Sequence, residues 1–236
     1  MLEKIPIGNI LFLDIETVPQ YDSYSKLPDK TRQLWDHKIE FLRKLETDTP
    51  DILYPRAGIY AEFGRIVCIS VGFVKDEEVR LKSFFGDDEK ALLSDFGNLL
   101  ETYFSAKNNF LCAHNGKEFD YPYIARRMLI NGLKIPAMLD LAGKKPWDIP
   151  HLDTMELWKF GDFKNFTSLD LLAHVFNIPT PKDDISGADV GRVYWQEKDL
   201  DRIVTYCQKD VVTIIQLFRR YQGMDLISDE SIHVIS

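Results

Sequence analysis

Residues Ile203–Phe218 read I-V-T-Y-C-Q-K-D-V-V-T-I-I-Q-L-F. With Leu200, apolar residues recur at Ile203, Val204, Cys207, Val211, Ile214, Ile215 and Phe218, the spacing of one buried face of a long helix. Tyr206 and Asp210 are four apart, so they lie one above the other at the margin of that face. Asp has poor propensity in mid-helix, and an isolated Y-x-x-x-D is ordinarily a solvated surface pair. Acids further upstream change that weighting.

The first of them follow Ile10-Leu11-Phe12-Leu13, a short run without alternation that predicts a strand buried on both faces. It ends in Asp14-Ile15-Glu16-Thr17-Val18-Pro19. In extended chain residues two apart point the same way, which sets Asp14 and Glu16 on one side about 7 Å apart at Cα. A strand-end turn explains such a pair equally well by itself. Residues 20–64 then leave the sheet. Asp29 can cap a helix running to about Lys44 with Trp35, Ile39 and Leu42 inward, and Pro50, Pro55, Gly58 and Gly64 punctuate the return.

Arg65–Val74 and Glu78–Phe85 predict two strands joined by a tight turn. A helix is expected over 87–105 and a brief buried strand at Phe110–Ala113, breaking at His114-Asn115-Gly116. Asp120 opens the next helix, whose first turn accommodates Pro122; a plain N-cap role would account for this acid too. Leu152–Thr154 predicts a strand, and helices follow at about 154–160, 167–176, 188–196 and from 199. The alternation predicts a mixed α/β sheet of five strands, antiparallel in its early hairpin and parallel later, flanked by helices in a single domain over 1–236. In such sheets ligands gather beyond the carboxyl ends of the parallel strands. Asp14, Glu16, Asp120 and Asp210 are expected to converge there.

Four adjacent carboxylates cannot all ionise unaided, because like charges raise one another's pKa. Shared protons or bound cations resolve the conflict. The donors are hard oxygens, which match Mg²⁺ or Mn²⁺. Two such ions about 4 Å apart serve in-line phosphodiester cleavage. Tyr206, with an ordinary pKa near 10, suits the orientation of a water better than proton abstraction.

D-I-E-T at 14–17, H-N-G-K-E-F-D at 114–120 and Y-C-Q-K-D at 206–210 resemble the three exonuclease motifs of the DEDD superfamily. Tyr206 places the resemblance in the DEDDy branch, nearest the proofreading 3′–5′ exonuclease domain of family B DNA polymerases, and it covers roughly residues 8–222. The resemblance implies an RNase H-like fold and metal-dependent removal of nucleotides from a 3′ end; single-stranded DNA is the expected substrate, although the motifs do not read the 2′-OH that distinguishes RNA. It implies that Asp14, Glu16, Asp120 and Asp210 ligate two divalent ions, that Tyr206 positions water, and that Thr17, Asn115 and Phe119 line the 3′-terminal nucleotide. No polymerase domain is expected to follow, so replicative proofreading does not carry over, and a replication or repair partner is left unnamed. The excursion at 20–64 has no secure counterpart.

Bulk properties set outer limits. In 236 residues, 45% hydrophobic and 28% charged, the chain can bury one substantial core. A net charge of −8 argues against a protein that coats polyanions generally. Cys68, Cys112 and Cys207 form no disulfide framework, no leader is evident in the first residues, and the longest apolar run, Ile66–Val74, is too short for a membrane span; a cytoplasmic protein is expected. Rival readings keep the site for RNA, or keep the fold as a nucleic-acid-binding scaffold with negligible turnover. His151 and His174 are expected to be packed rings, Arg126 and Arg127 to face away from the buried stripe of their helix, and Asp153 to cap a helix. Lys182 is a candidate phosphate contact.

Overall fold

The computed structural model describes residues 5–45, 47–105, 107–162, 166–180 and 185–235; Lys182 lies outside them. Its centre is a mixed sheet of order β5-β4-β1-β2-β3-β6. The strands are β1 (Ile10–Pro19), β2 (Gly64–Lys75), β3 (Glu78–Phe85), β4 (Phe110–Ala113), β5 (Leu152–Asp153) and β6 (Ile232–Val234). β1, β2 and β3 pair antiparallel, while β1/β4, β4/β5 and β3/β6 pair parallel. β6 is additional to the five strands expected. The β2–β3 hairpin turns on Asp76 and Glu77, both at positive φ, as a two-residue turn between twisted strands requires.

Helices cover both faces. On one, α3 (Glu89–Tyr103) and α4 (Asp120–Ile130) bury Leu92, Leu93, Phe96, Ile124 and Met128 against Leu11, Leu13, Ile15, Ile66 and Ile69. On the other, α8 (Leu200–Tyr221) lays Val211, Ile214, Ile215 and Phe218 on Ile10 and Phe12. It crosses so close that a Cβ on Gly72 would stand 2.9 Å from both Ile215 and Val211. Further along, Ile203, Val204 and Cys207 of α8 pack on Val18, Val67 and Cys68. Opposite the Glu16/Thr17 step, partners jump from Cys68 to Ile66, so Val67 is a bulged residue of β2. The bulge turns Val67 and Cys68 to the same face.

The excursion has a small core of its own. α1 (Asp29–Glu40) begins behind Pro28, with no side-chain cap from Asp29, and stops short of Lys44. Trp35, fully buried, donates its indole N–H to the Pro50 carbonyl at 2.8 Å and meets the ring edge of Tyr54. After α2 (Pro50–Leu53) and a 3-10 segment over Tyr54–Ile59, the chain re-enters the sheet, tied to α4 by the Tyr123 hydroxyl on the Gly58 carbonyl at 2.6 Å. The remaining helices are α5 (Thr154–Lys159), α6 (Leu169–Val175) and α7 (Val190–Arg192), the last running into a π-helical turn over Val193–Glu197. That turn is pinned to β1 by the Trp195 indole N–H on the Pro19 carbonyl at 3.1 Å. No helix among the described residues is long and apolar enough to cross a membrane.

Candidate active site

β1 runs straight through its acids. The apolar stretch at Ile10–Leu13 suggests an early stop, but the strand continues to Pro19, with Asp14 opposite Ser70 and Glu16 opposite Cys68 of β2. β4 pairs only with Ile10–Phe12, so beyond Phe12 that edge of β1 lies past the end of its parallel neighbour. Alternation places Asp14 and Glu16 on the face of Ile10 and Phe12, beneath α8. They therefore stand at the carboxyl edge of β4 and β5, where α/β sheets open a crevice.

α8 supplies the opposite wall. Cys207 directs its thiol at Asp14, with Sγ 3.4 Å from the carbonyl oxygen and 3.5 Å from Oδ2. One ligand atom each from Asp14, Glu16 and Cys207 lie within 4.8 Å of one another. Tyr206, one residue back, donates its hydroxyl to Asp210 a turn further on. Its phenol is pushed far above the ordinary range by burial and by the charges of Asp210, Glu16 and Asp14. The Gln208 amide holds the helix to β3, donating to the Ser83 hydroxyl at 2.9 Å.

The third contribution comes from the loop after β4. Asn115 takes positive φ, and Gly116 turns where a Cβ would come within 2.5 Å of the Ala113 side chain. Asp153, buried at the end of β5, fixes this loop by accepting the Asn115 and Lys117 N–H groups at 2.9 and 3.1 Å. It also caps α5, accepting from Met155 and Glu156. The His114 ring adds Nδ1 to Thr154 Oγ1 and Nε2 to the Thr167 carbonyl, both at 2.9 Å. Asp120 enters the crevice as the first residue of α4; Phe119 holds the capping position and makes no side-chain cap bond. The half-buried Phe119 ring lies against Tyr123 with centroids 5.3 Å apart, and Thr17 hydrogen-bonds the Tyr123 hydroxyl.

The electrostatics record the convergence. Asp14 is raised well above the usual carboxylate range by burial first, then by Glu16, Asp120 and Asp210. Burial and then Asp210 do the same to Glu16, with Asp120 also contributing. Asp120 is pushed up to about 8, mainly by burial, while the N–H groups of Asp120 and Ile15 pull the other way. Its Oδ1 is buried with no hydrogen-bond partner, as is Oδ1 of Asn115. Crowded, desolvated anions with an orphaned buried oxygen are what a divalent cation relieves, so the donor set fits one.

Asp14 and Glu16 thus stand together, Asp120 and Asp210 lie near enough to raise both, Tyr206 bonds Asp210, and Thr17, Asn115 and Phe119 are on the adjoining segments. Cys207, read only as a buried thiol, lies inside the cluster; its place between Tyr206 and Asp210 was the available signal. Asp153 proves to be more than a cap. Arg127 contradicts expectation: it is buried, donates to Glu89 through Nε and Nη2 at 2.8 and 2.5 Å, and reaches the Ala61 carbonyl through Nη1 at 2.8 Å. Arg126 is exposed as expected. His151 is packed, between the Leu111 N–H and the Met138 carbonyl, whereas His174 is exposed because it falls on the outer side of α6.

No curated protein matches the sequence. Among solved structures, the fold is similar to the family B DNA polymerase from the hyperthermophilic archaeon Pyrobaculum calidifontis, with a TM-score of 0.53 and 15% identity over 90% of this chain. The likeness spans 24% of the polymerase chain. Residues 59–232, which contain the Asn115–Asp120 loop and all of α8, match the model of a family described as a predicted 3′-5′ exonuclease related to the exonuclease domain of PolB. Asp14 and Glu16 precede the matched residues and join the site through β1. The chain belongs to that family of predicted exonucleases related to the polymerase B exonuclease domain.

Proposed function

We propose that this chain is a 3′–5′ exonuclease, built as one catalytic domain, that hydrolyses terminal phosphodiester bonds of single-stranded nucleic acid, DNA in preference to RNA. The observation that supports the reading is that Asp14 and Glu16 stand together on β1, with Asp120 and Asp210, from two other segments, near enough to raise both carboxyls. In this reading the four acids hold two divalent ions, Mg²⁺ or Mn²⁺, as hard oxygen donors prefer. Such ions, when bound, acidify water and neutralise charge at phosphorus. Tyr206 keeps its proton throughout the working range, so it orients the attacking water through its hydroxyl and does not deprotonate it. Phe119 offers a ring face to the terminal base, and Thr17 and Asn115 supply polar contacts around the last nucleotide. Three buried free thiols support a reducing, cytoplasmic setting.

The test uses single-stranded DNA and RNA labelled at either end, with Mg²⁺, Mn²⁺ or chelator, beside Asp14→Ala. The expected result is a ladder shortening from the 3′ end that requires both metal and Asp14. Tight binding of strands without turnover under every metal condition would replace the enzyme with a scaffold. Faster RNA than DNA cleavage would change the substrate class.

A further inference from the structure

α5 leaves the sheet from Asp153, the residue that clamps the Asn115 loop, and over its six residues travels about 9 Å. Its inner side is satisfied: Trp158 stacks on Tyr221 and meets the edge of Phe176. Its outer end is not. Phe160 terminates the helix in the left-handed conformation, φ 43° and ψ 35°, with 80% of its surface exposed. Glycine is the ordinary residue there, and a bulky aromatic costs backbone strain while gaining no burial. Past the described end of that helix, the Thr167 carbonyl is anchored on the His114 ring, at the start of the Asn115 loop, at 2.9 Å. Phe166, next to that anchor, is 69% exposed, and the Lys159 ammonium lies 4.8 Å from its ring centroid.

We propose that Phe160, Lys159 and Phe166 form a stacking platform for the unpaired nucleotides that immediately precede the 3′ terminus, an inference that rests on the exonuclease reading above. Two exposed rings offer faces to successive bases without regard to sequence, and Lys159 supplies the positive charge that a phosphate backbone requires on a chain of net charge −8. Position separates this pair from a chemically similar one. Trp147, with Lys145 5.3 Å from its ring centroid, is equally exposed but belongs to the link that enters β5 from its amino end. It serves as the internal control.

The experiment measures binding of a fluorescein-labelled twelve-residue oligothymidylate to the full chain in chelator, where no cleavage occurs, alongside a thymidine dinucleotide as competitor. Phe160→Gly removes a ring while easing the backbone, so it is expected to raise or keep the melting temperature. With Phe166→Ala, each lost ring is expected to weaken the long oligonucleotide about tenfold and leave the dinucleotide unchanged. Phe160→Trp should restore affinity, and Trp147→Ala should leave it within about twofold of wild type. In turnover the paired variant should raise KM and preserve kcat. Long-oligonucleotide affinity unchanged in the paired variant, or lowered equally by Trp147→Ala, overturns the platform while a wild-type protein that cleaves keeps the exonuclease reading. A wild type that neither binds nor cuts overturns both.

Discussion

The Cys207 thiol stands 3.4 Å from the main-chain oxygen and 3.5 Å from the carboxylate Oδ2 of Asp14. A donor to the charged form lowers a carboxyl pKa, so this contact opposes the burial and the three neighbouring acids that raise Asp14. In Cys207→Ala the Asp14 proton is therefore held more tightly. The acid limb of the activity profile should move to higher pH, and half-maximal activation should need several-fold more metal. The fold should lose about 1 kcal/mol, the usual cost of a small buried truncation. A pH–rate profile with metal titration decides it; curves that superimpose on wild type would detach the thiol from the site.

Asp120 sets a pH dependence of stability. Its carboxyl is raised from 3.8 to about 8 on folding, so between those values the folded chain holds a proton that the unfolded chain releases. Stability is then fully present below pH 3.8 and declines as pH rises toward 8, by at most about 1.4 kcal/mol per pH unit for one carboxyl. In chelator, the wild type should melt at lower temperature at pH 8 than at pH 5, and Asp120→Asn should flatten the slope. Mg²⁺ or Mn²⁺ should recover stability most at the higher pH. A wild-type slope identical to that of Asp120→Asn would mean that the carboxyl is solvated.

Tyr206→Phe removes the hydroxyl that meets Asp210 and keeps the ring. If the phenol aims water, kcat should fall about ten- to a hundredfold, the scale of a misplaced reactant, with metal affinity little changed. Single-turnover cleavage together with calorimetric metal binding separates the two. Loss of metal affinity in proportion to rate would make the tyrosine a support for Asp210.

Glu89 and Arg127 are both buried and bonded through two N–H groups, and Glu89 also accepts the Ile66 N–H at 2.7 Å and the Asn131 amide at 3.0 Å. Arg127→Met strands an acid between α3, α4 and β2. Urea denaturation should show a loss of about 3–5 kcal/mol, partly recovered by adding Glu89→Gln. No recovery in the double variant would show that the arginine acts through packing alone.

α8 was readable because its apolar period is unbroken from Leu200 to Phe218, and Asp210 because a carboxylate sits badly in mid-helix; Asp14, Glu16 and Asp120, each explicable locally as a turn or a cap, gained weight only when the motifs were taken together. What escaped depends on partners distant in sequence. Arg127 looks like a surface cation until Glu89, 38 positions earlier, is set beside it. β1 looks short because its alternation passes through acids facing a crevice, where apolar residues would have announced a strand. β6 pairs with only Val79–Leu81 at the sheet edge, too little to leave a pattern. The end of α1 at Glu40 similarly reflects local turn geometry that helical period alone does not set.

Val67, the bulged residue of β2, also fixes which parts of this chain can change length. Upstream, α1 and α2 pack on a Trp35 core of their own while the 3-10 segment over Tyr54–Ile59 lies directly on β1, so relatives can lengthen or trim the part before Tyr54 without disturbing the catalytic face. At Val67 a single codon gained or lost would shift Ile66 and everything before it by one step, exchanging core for crevice beneath Glu16. Insertions among homologues should therefore accumulate before Tyr54 and stop abruptly there.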